Sequence, residues 1–132
     1  MDSGQITTDN HPKKRILIID DDPDFRYLFK LGLDMAGYET LTAENGADAM
    51  SVIERETLDI ITVDLMMPVM DGLRFLRWLR NEAKVSLPAL VFTSSVSKDI
   101  VVEATAAGAT DVMLKPVKLP ELLEKVARLV NT

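Results

Sequence analysis

The chain contains no cysteine and only one histidine, and its acidic residues outnumber its basic ones. Without cysteine it can form neither a disulfide nor a thiolate site. No apolar run approaches the length of a membrane span, and the first residues lack the pattern of a signal peptide. A formal net charge of −6 argues against a nucleic-acid-binding face, which needs to be basic. Together these absences predict a soluble, cytoplasmic protein.

The length of 132 residues predicts one folded domain, residues 15–132, behind a flexible amino-terminal tail, residues 1–14. The tail is polar and shows no apolar periodicity. It contains His11, so the single histidine is not expected to bind a metal or to act in catalysis. A chain of this size buries about two thirds of its unfolded surface, which is enough for a core without cross-links.

Five short apolar segments predict buried β-strands, and they alternate with five segments whose apolar residues recur at helical spacing. The predicted strands are Arg15–Asp20, Tyr38–Ala43, Asp59–Asp64, Pro88–Thr93 and Asp111–Lys115. The predicted helices begin near Pro23, Gly46, Gly72, Lys98 and Pro120. This alternation predicts an α/β fold, in which helices cover both faces of a five-stranded parallel sheet with right-handed crossovers.

Polar residues stand at the predicted carboxyl ends of four strands: Asp20–Asp22, Asp64, Thr93–Ser95 and Lys115. Sites in open parallel sheets form at this edge. Two unit charges about 5 Å apart repel by roughly 3 kcal/mol at an effective dielectric near 20, so grouped carboxylates predict a bound cation. Their oxygens suit Mg²⁺, and a lysine and a hydroxyl beside them complete a cradle for a phosphoryl group.

Each of these elements also has a simpler interpretation when it is taken alone. Asp20–Asp22 can be helix caps and solvated charges, and Asp64 can be a polar end to its strand. Thr93–Ser95 fits a turn, and a lysine at the end of a strand, such as Lys115, is more often solvated than functional. Their joint placement on several strand ends favours a site.

Four segments resemble the receiver domain of bacterial response regulators, the CheY-like fold. They are Ile16–Arg26 (ILIIDDDPDFR), Asp64–Gly72 (DLMMPVMDG), Phe92–Ser94 and Met113–Pro116. Together they span roughly residues 14–131. Their combination is specific for this family, although each segment alone is weak evidence for it. The resemblance implies a doubly wound (βα)5 fold with strand order 2-1-3-4-5.

The resemblance also implies a role for each acidic residue of the site. Asp64 would be the phosphoacceptor. Asp21 would bind Mg²⁺ directly and Asp20 would bind it through water. The backbone carbonyl of Met66 would be a further metal ligand.

By the same resemblance, Thr93 would hydrogen-bond a phosphoryl oxygen and Lys115 would pair with another. A cis peptide bond is expected between Lys115 and Pro116, and the small Ser94 would leave access to the acceptor. Many family members have an aromatic residue three positions before the lysine, and this chain has Val112 there. We therefore do not expect an aromatic switch in this protein.

The resemblance implies a stand-alone, single-domain response regulator of a two-component phosphorelay. A histidine kinase or a His-phosphotransfer protein would donate the phosphoryl group with Mg²⁺, and an unknown downstream protein would receive the signal. The chain is expected to be a switch that promotes its own phosphorylation and dephosphorylation rather than a turnover enzyme. It is also expected to be a monomer or weak dimer, without contacts to nucleic acid or membrane.

Two other classes of function stay open from the sequence: an enzyme, and a binding protein that is either a cofactor carrier or a scaffold. A small phosphohydrolase that uses an aspartyl phosphate would usually carry an Asp-x-Asp motif after the first strand, where this chain has the contiguous Asp20–Asp22. A flavodoxin-like carrier would need Ser, Thr and Gly in that loop, because acidic groups repel a flavin phosphate. A phosphorylation-independent scaffold would require that the acidic residues fail to bind Mg²⁺.

Overall fold

A computed structural model describes residues 12–67, 70–94 and 97–131. The predicted tail lies largely outside these residues, and so does His11. Within these residues the chain forms five strands: β1 Arg15–Ile19, β2 Glu39–Ala43, β3 Ile60–Asp64, β4 Ala89–Thr93 and β5 Asp111–Leu114. Five α-helices alternate with them: α1 Pro23–Met35, α2 Gly46–Arg55, α3 Gly72–Arg77, α4 Lys98–Ala107 and α5 Leu119–Val130. Each strand lies within one residue of its predicted bounds.

All neighbouring strands are parallel, in the order β2-β1-β3-β4-β5. The predicted fold class and strand order are therefore confirmed. Strands β3 and β4 lie inside the sheet and every residue in them is buried, which explains why their sequences are nearly continuous apolar runs.

Two apolar cores flank the sheet, one on each face. Helices α1 and α5 cover one face with buried residues that include Phe29, Leu33, Leu122 and Val126. Helices α2, α3 and α4 cover the other face with buried residues that include Ala49, Val52, Phe75, Leu76 and Ala104. Because both faces are covered, polar chemistry is left to the edges where the strands begin and end. Among the described residues, no helix has the length and apolar character needed to cross a bilayer.

The helix ends follow the sequence. Asp22 caps α1 by accepting a hydrogen bond from the Asp24 N–H over 2.9 Å, and Asp71 caps α3 in the same way through Arg74 over 2.8 Å. Gly108 ends α4 with φ of +117°, a conformation that residues with a Cβ rarely adopt. Asp22 and Asp71 thus fix where the loops after β1 and β3 end, and Gly108 fixes where the loop before β5 begins.

The third helix differs from its predicted form. The sequence predicts one helix from Gly72 to about Asn81, but the chain changes to a π-helical turn over Trp78–Glu82. Arg80 on this turn donates to the carbonyl oxygens of Gly108 and Val85. Apolar spacing over five residues does not distinguish α-helical from π-helical turns, so the sequence pattern could not show the change.

Candidate functional site

The carboxyl ends of β1, β3, β4 and β5 converge at one edge of the sheet, which we call the carboxyl edge. It consists of Asp20, Asp21, Asp64, Thr93 and Lys115. Backbone hydrogen bonds between neighbouring strands fix the positions of their ends relative to one another. The backbone N–H of Leu65 donates to the Phe92 carbonyl over 3.0 Å, and the backbone N–H of Lys115 donates to the Thr93 carbonyl over 2.8 Å. Residues that lie far apart in the chain are thus brought to one edge.

Three carboxylates of this edge lie close together. One oxygen from each of Asp20, Asp21 and Asp64 lies within 4.8 Å of the other two. The residues Asp20 and Asp64 are only 1% and 4% exposed, whereas Asp21 is exposed. The group is therefore buried at Asp20 and Asp64 and open to solvent at Asp21.

Lys115 neutralises part of this negative charge. Its Nζ lies 3.1 Å from Asp64 Oδ2 and 3.4 Å from Asp20 Oδ2. Burial lowers the pKa of Lys115, but the attraction of Asp20 and Asp64 outweighs it, so the pKa lies above its ordinary value. The ammonium is therefore fully charged at neutral pH.

Asp20 is held in an unfavourable environment for a charged group. Burial is the main cause that raises its pKa, and the negative charge of Asp64 adds to it. The N–H of Asp22 donates to Asp20 Oδ1 over 3.0 Å, and the charge of Lys115 also acts against the rise, but neither cancels it. The ionised carboxylate is thus short of positive charge in this environment.

The loop after β3 presents Asp64 toward the edge. The Met66 N–H donates to Asp64 Oδ1 over 3.0 Å, which fixes the carboxylate, while the Met66 side chain is exposed. A Cβ at Gly72 would stand 2.7 Å from the Asp64 carbonyl oxygen, so only glycine allows α3 to begin this close to the strand end. Residues 68 and 69 of this loop lie outside the described residues.

Thr93 and Ser94 lie on the other side of Asp64. Thr93 is buried and Ser94 is exposed, and both line a cavity of about 410 Å³. The other walls are mainly apolar and come from Leu65, Met66, Asp71, Leu73 and Ile100. Ser95, the last residue of the predicted hydroxyl run, lies outside the described residues.

Val112 and the bond at Lys115 can be compared with the expectations from the sequence. The Lys115–Pro116 peptide bond is cis, as expected. Val112 is half-buried and packs against the core on the face covered by α2, α3 and α4. A valine has no long side chain to move between core and surface, so this position offers no aromatic switch.

Two residues of α1 contact the carboxyl edge and were not predicted from the sequence. The ring centroid of Phe25 lies 4.6 Å from Lys115 Nζ. Arg26 Nη1 donates to the Asp20 carbonyl oxygen over 2.7 Å and so ties α1 to the end of β1. A basic residue one turn into a helix that follows an acidic loop was the available signal for Arg26.

The carboxylates suit a divalent cation. Hard oxygen ligands are those that Mg²⁺ prefers, and it commonly binds through one or two carboxylates together with water and a phosphate. Asp20 and Asp64 are buried, and both lie within 3.4 Å of the single ammonium of Lys115. Asp20, Asp21 and Asp64 therefore form a fitting donor set for Mg²⁺.

Comparisons with known proteins agree with this geometry. A family model described as the response regulator receiver domain matches residues 16–127. The chain is 38% identical over 114 residues to the phosphate regulon transcriptional regulatory protein PhoB of Pseudomonas aeruginosa. This alignment covers 86% of this chain and 50% of the relative. It is 37% identical over 117 residues to the response regulator MprA of Mycobacterium leprae, in an alignment that covers 89% of this chain and 51% of that relative. The chain thus spans about half the length of these curated relatives.

Solved structures give the same result for the fold. The chemotaxis protein CheY4 of Vibrio cholerae superposes with a TM-score of 0.85 at 31% identity, over 89% of this chain and 99% of that one. The receiver domain of a signal transduction histidine kinase from Syntrophus aciditrophicus superposes with a TM-score of 0.82 at 32% identity, over 89% and 90%.

Proposed function

This chain belongs to the response regulator receiver domain family, and we propose that it is a phosphorylation switch whose acceptor is Asp64. A histidine kinase or a His-phosphotransfer protein donates the phosphoryl group. An oxygen of Asp64 forms a bond to phosphorus while the bond from phosphorus to the donor histidine nitrogen breaks, and that nitrogen keeps the electron pair. Hydrolysis of the acyl phosphate later restores the carboxylate.

One observation carries this proposal: a charged lysine lies against a buried carboxylate inside a group of three carboxylates. An acyl phosphate on Asp64 places additional anionic oxygens at the carboxyl edge, and these need positive charge around them. Lys115 already lies 3.1 Å from Asp64 Oδ2 and supplies one such charge. The Thr93 hydroxyl, at the end of the adjacent strand, would donate a hydrogen bond to another phosphoryl oxygen.

The proposal includes Mg²⁺ as a resident cofactor. Asp20, Asp21 and Asp64 would hold it, together with the backbone carbonyl of Met66. When bound, the ion supplies the positive charge that these carboxylates and the phosphoryl oxygens share. Asp20 would contribute mainly by its buried negative charge and Asp21 by its accessible oxygens.

We further propose that the protein is a switch and not a turnover enzyme. Its acyl phosphate would shift an equilibrium between two conformations of the surface near Thr93, where the adjoining cavity gives side chains room to rearrange. The phosphohydrolase alternative predicts steady release of phosphate from a generic phosphate ester. Our proposal predicts that such release does not occur above the background of a variant that lacks Asp64.

Exposed apolar residues on α1 support a docking surface for the phosphodonor, which we call the α1 patch. The patch consists of Tyr27, Leu28, Leu31 and Met35, which are between 45% and 79% exposed. Phe25 is not part of it, because its ring lies against Lys115. Leu31→Ser is expected to slow phosphotransfer from a cognate donor without changing labelling by acetyl phosphate. Equal transfer rates in both proteins would contradict docking at the α1 patch.

The remaining parts of the proposal concern the location, domain arrangement, oligomeric state and partners of the protein. We propose a cytoplasmic, stand-alone receiver that is a monomer or weak dimer and signals through contacts with a downstream protein. The net charge of −6 supports a unit that itself contacts neither nucleic acid nor an anionic membrane. Because the relatives are about twice as long, the mass of the intact protein isolated from its own cells is the test of the stand-alone arrangement.

The acceptor assignment is tested with Asp64→Asn. The wild-type protein is expected to be labelled by acetyl phosphate in the presence of Mg²⁺, and the variant is expected to show no label. Asp59→Asn is the matched control, because Asp59 lies just before the opposite end of the same strand and accepts a hydrogen bond from the Arg15 N–H. Full labelling of Asp64→Asn would overturn the assignment.

A further inference from the structure

Phe25 stands out because an aromatic ring contacts the one ammonium of the carboxyl edge. We propose that Phe25 is a positioning residue that holds the Lys115 ammonium beside Asp64. The proposal rests on the proposed function of this site, since its purpose is to keep positive charge where the phosphoryl group arrives. Phe25 touches neither the acceptor nor the phosphoryl group and acts through Lys115.

The geometry is that of a cation–π contact. Lys115 Nζ lies 4.6 Å from the centroid of the Phe25 ring, inside the roughly 6 Å range of such contacts. An ammonium has three N–H donors. In the part of the chain that the structure describes, its hydrogen bonds go to Asp64 Oδ2 and Asp20 Oδ2. The aromatic ring therefore covers a further side of the ammonium.

The ring is itself fixed by the core. Phe25 meets Phe29 edge to face, with centroids 4.6 Å apart and an interplanar angle of 78°. Phe29 meets Phe92 in the same way, at 5.4 Å and 73°, and both are fully buried. Phe92 stands directly before Thr93 and opposite Asp64 in the sheet. The series of rings thus fixes the ammonium relative to the strand that carries the acceptor.

A contact with an uncharged ring differs from the other contacts of Lys115 in one important respect. Asp20 and Asp64 are the residues proposed to share their charge with Mg²⁺, and Asp64 becomes an acyl phosphate on phosphorylation. The partners of the ammonium therefore change during the signalling cycle, while the charge of the ring does not. A lysine side chain also loses rotamer entropy when it is fixed, and the ring contact offsets part of this loss.

The simpler interpretation is that Phe25 only fills space between α1 and the sheet. It makes a different prediction, because leucine would fill much of the same space without a π-system. Phe25→Leu and Phe25→Tyr therefore separate the two interpretations. Phe75→Leu is the matched control, since Phe75 is a fully buried phenylalanine on the opposite face of the sheet.

The first measurement is made by NMR without metal or phosphodonor. The ε-methylene protons of Lys115 are expected to resonate upfield in the wild-type protein because of the ring current of Phe25. The ε-methylene group is expected to be ordered in the wild type and in Phe25→Tyr, and to become mobile in Phe25→Leu. Phe75→Leu is expected to leave the shift and the order unchanged.

The second measurement is the rate of labelling by acetyl phosphate with Mg²⁺. A cation–π contact of the usual strength predicts that Phe25→Leu slows labelling by about threefold to tenfold and that Phe25→Tyr restores most of the rate. An unshifted ε-methylene signal in the wild type would overturn the proposal. So would wild-type order and rate in Phe25→Leu, or an equal slowing in Phe75→Leu. If the wild type is not labelled at all, the proposed function fails, whereas the NMR result still decides the role of Phe25.

Discussion

The two ends of the sheet differ in how their charged groups are paired and buried. At the end where the strands begin, which we call the amino edge, the charged groups are Arg15, Glu39, Glu56 and Asp59. The Arg15 guanidinium donates to Glu39 over 3.0 Å, to Glu56 over 2.9 Å and to the Thr57 carbonyl over 2.8 Å. The Arg15 N–H donates to Asp59 over 2.8 Å. At this edge each acidic group accepts a hydrogen bond from a different nitrogen of Arg15.

At the carboxyl edge Asp20 and Asp64 share one nitrogen, the Nζ of Lys115. Within the described residues, the ion pairs of Asp20 and Asp64 are both with Lys115, and Asp21 lies beside them without one. Each edge thus has one basic residue and three carboxylates, but Asp20 and Asp64 are buried whereas Glu39 and Glu56 are not, so the surplus of negative charge is poorly solvated only at the carboxyl edge. Such a surplus lowers stability, and the proposed binding of a cation and a phosphoryl group would explain why the sequence contains it.

Replacement of the basic residue at each edge is expected to show the largest difference between the edges in the free energy of unfolding. Lys115→Met leaves the buried Asp20 and Asp64 without their ion-pair partner, so the free energy of unfolding is expected to fall by about 3 kcal/mol without Mg²⁺. Arg15→Met is expected to cause a smaller loss, because the acidic groups it leaves are more exposed. Urea denaturation with a chelator measures both, and adding Mg²⁺ should restore part of the loss in Lys115→Met. Equal losses would contradict the contrast between the edges.

Removal of one surplus charge is expected to have a smaller effect of opposite sign. The pKa of Asp20 is raised in the folded protein, so ionised Asp20 destabilises it, and stability falls as pH rises from about 4 through the folded pKa. Asp20→Asn removes this fall and is expected to raise the free energy of unfolding at pH 7 without Mg²⁺.

The same variant should respond less to metal. Mg²⁺ is expected to stabilise the wild-type protein more than Asp20→Asn, because the variant keeps fewer carboxylates at the site. Denaturation curves at pH 4 to 7, each with and without Mg²⁺, measure both effects. A variant that is less stable than the wild type in the absence of metal, or that shows the same pH slope, would refute the surplus of charge at Asp20.

The sheet and its carboxyl edge could be predicted because each depends on a local pattern. Short apolar runs that alternate with helical periodicity specify a parallel sheet, and a parallel sheet brings its strand ends to one edge. Asp20, Asp64 and Lys115 were therefore predicted as neighbours although they lie far apart in the chain. The structure brings these three together as expected.

Contacts that depend on packing between distant elements could not be predicted in this way. Phe25 has an apolar position on α1, but its contact with Lys115 depends on how α1 packs against the sheet. The pairing of Arg15 with Glu39 and Glu56 was missed for a similar reason, since each charge alone is typical of a solvated surface. The π-helical turn at Trp78–Glu82 changes hydrogen bonds without changing the apolar pattern.

The central claim is that Asp64, among three neighbouring carboxylates, accepts the phosphoryl group. The most direct measurement treats the wild-type protein with acetyl phosphate and Mg²⁺, reduces the acyl phosphate with borohydride, and locates the reduced residue by tandem mass spectrometry. The reduced residue is expected at Asp64, with Asp20 and Asp21 unchanged. Reduction at Asp20 or Asp21, or at no aspartate in the chain, would contradict the claim.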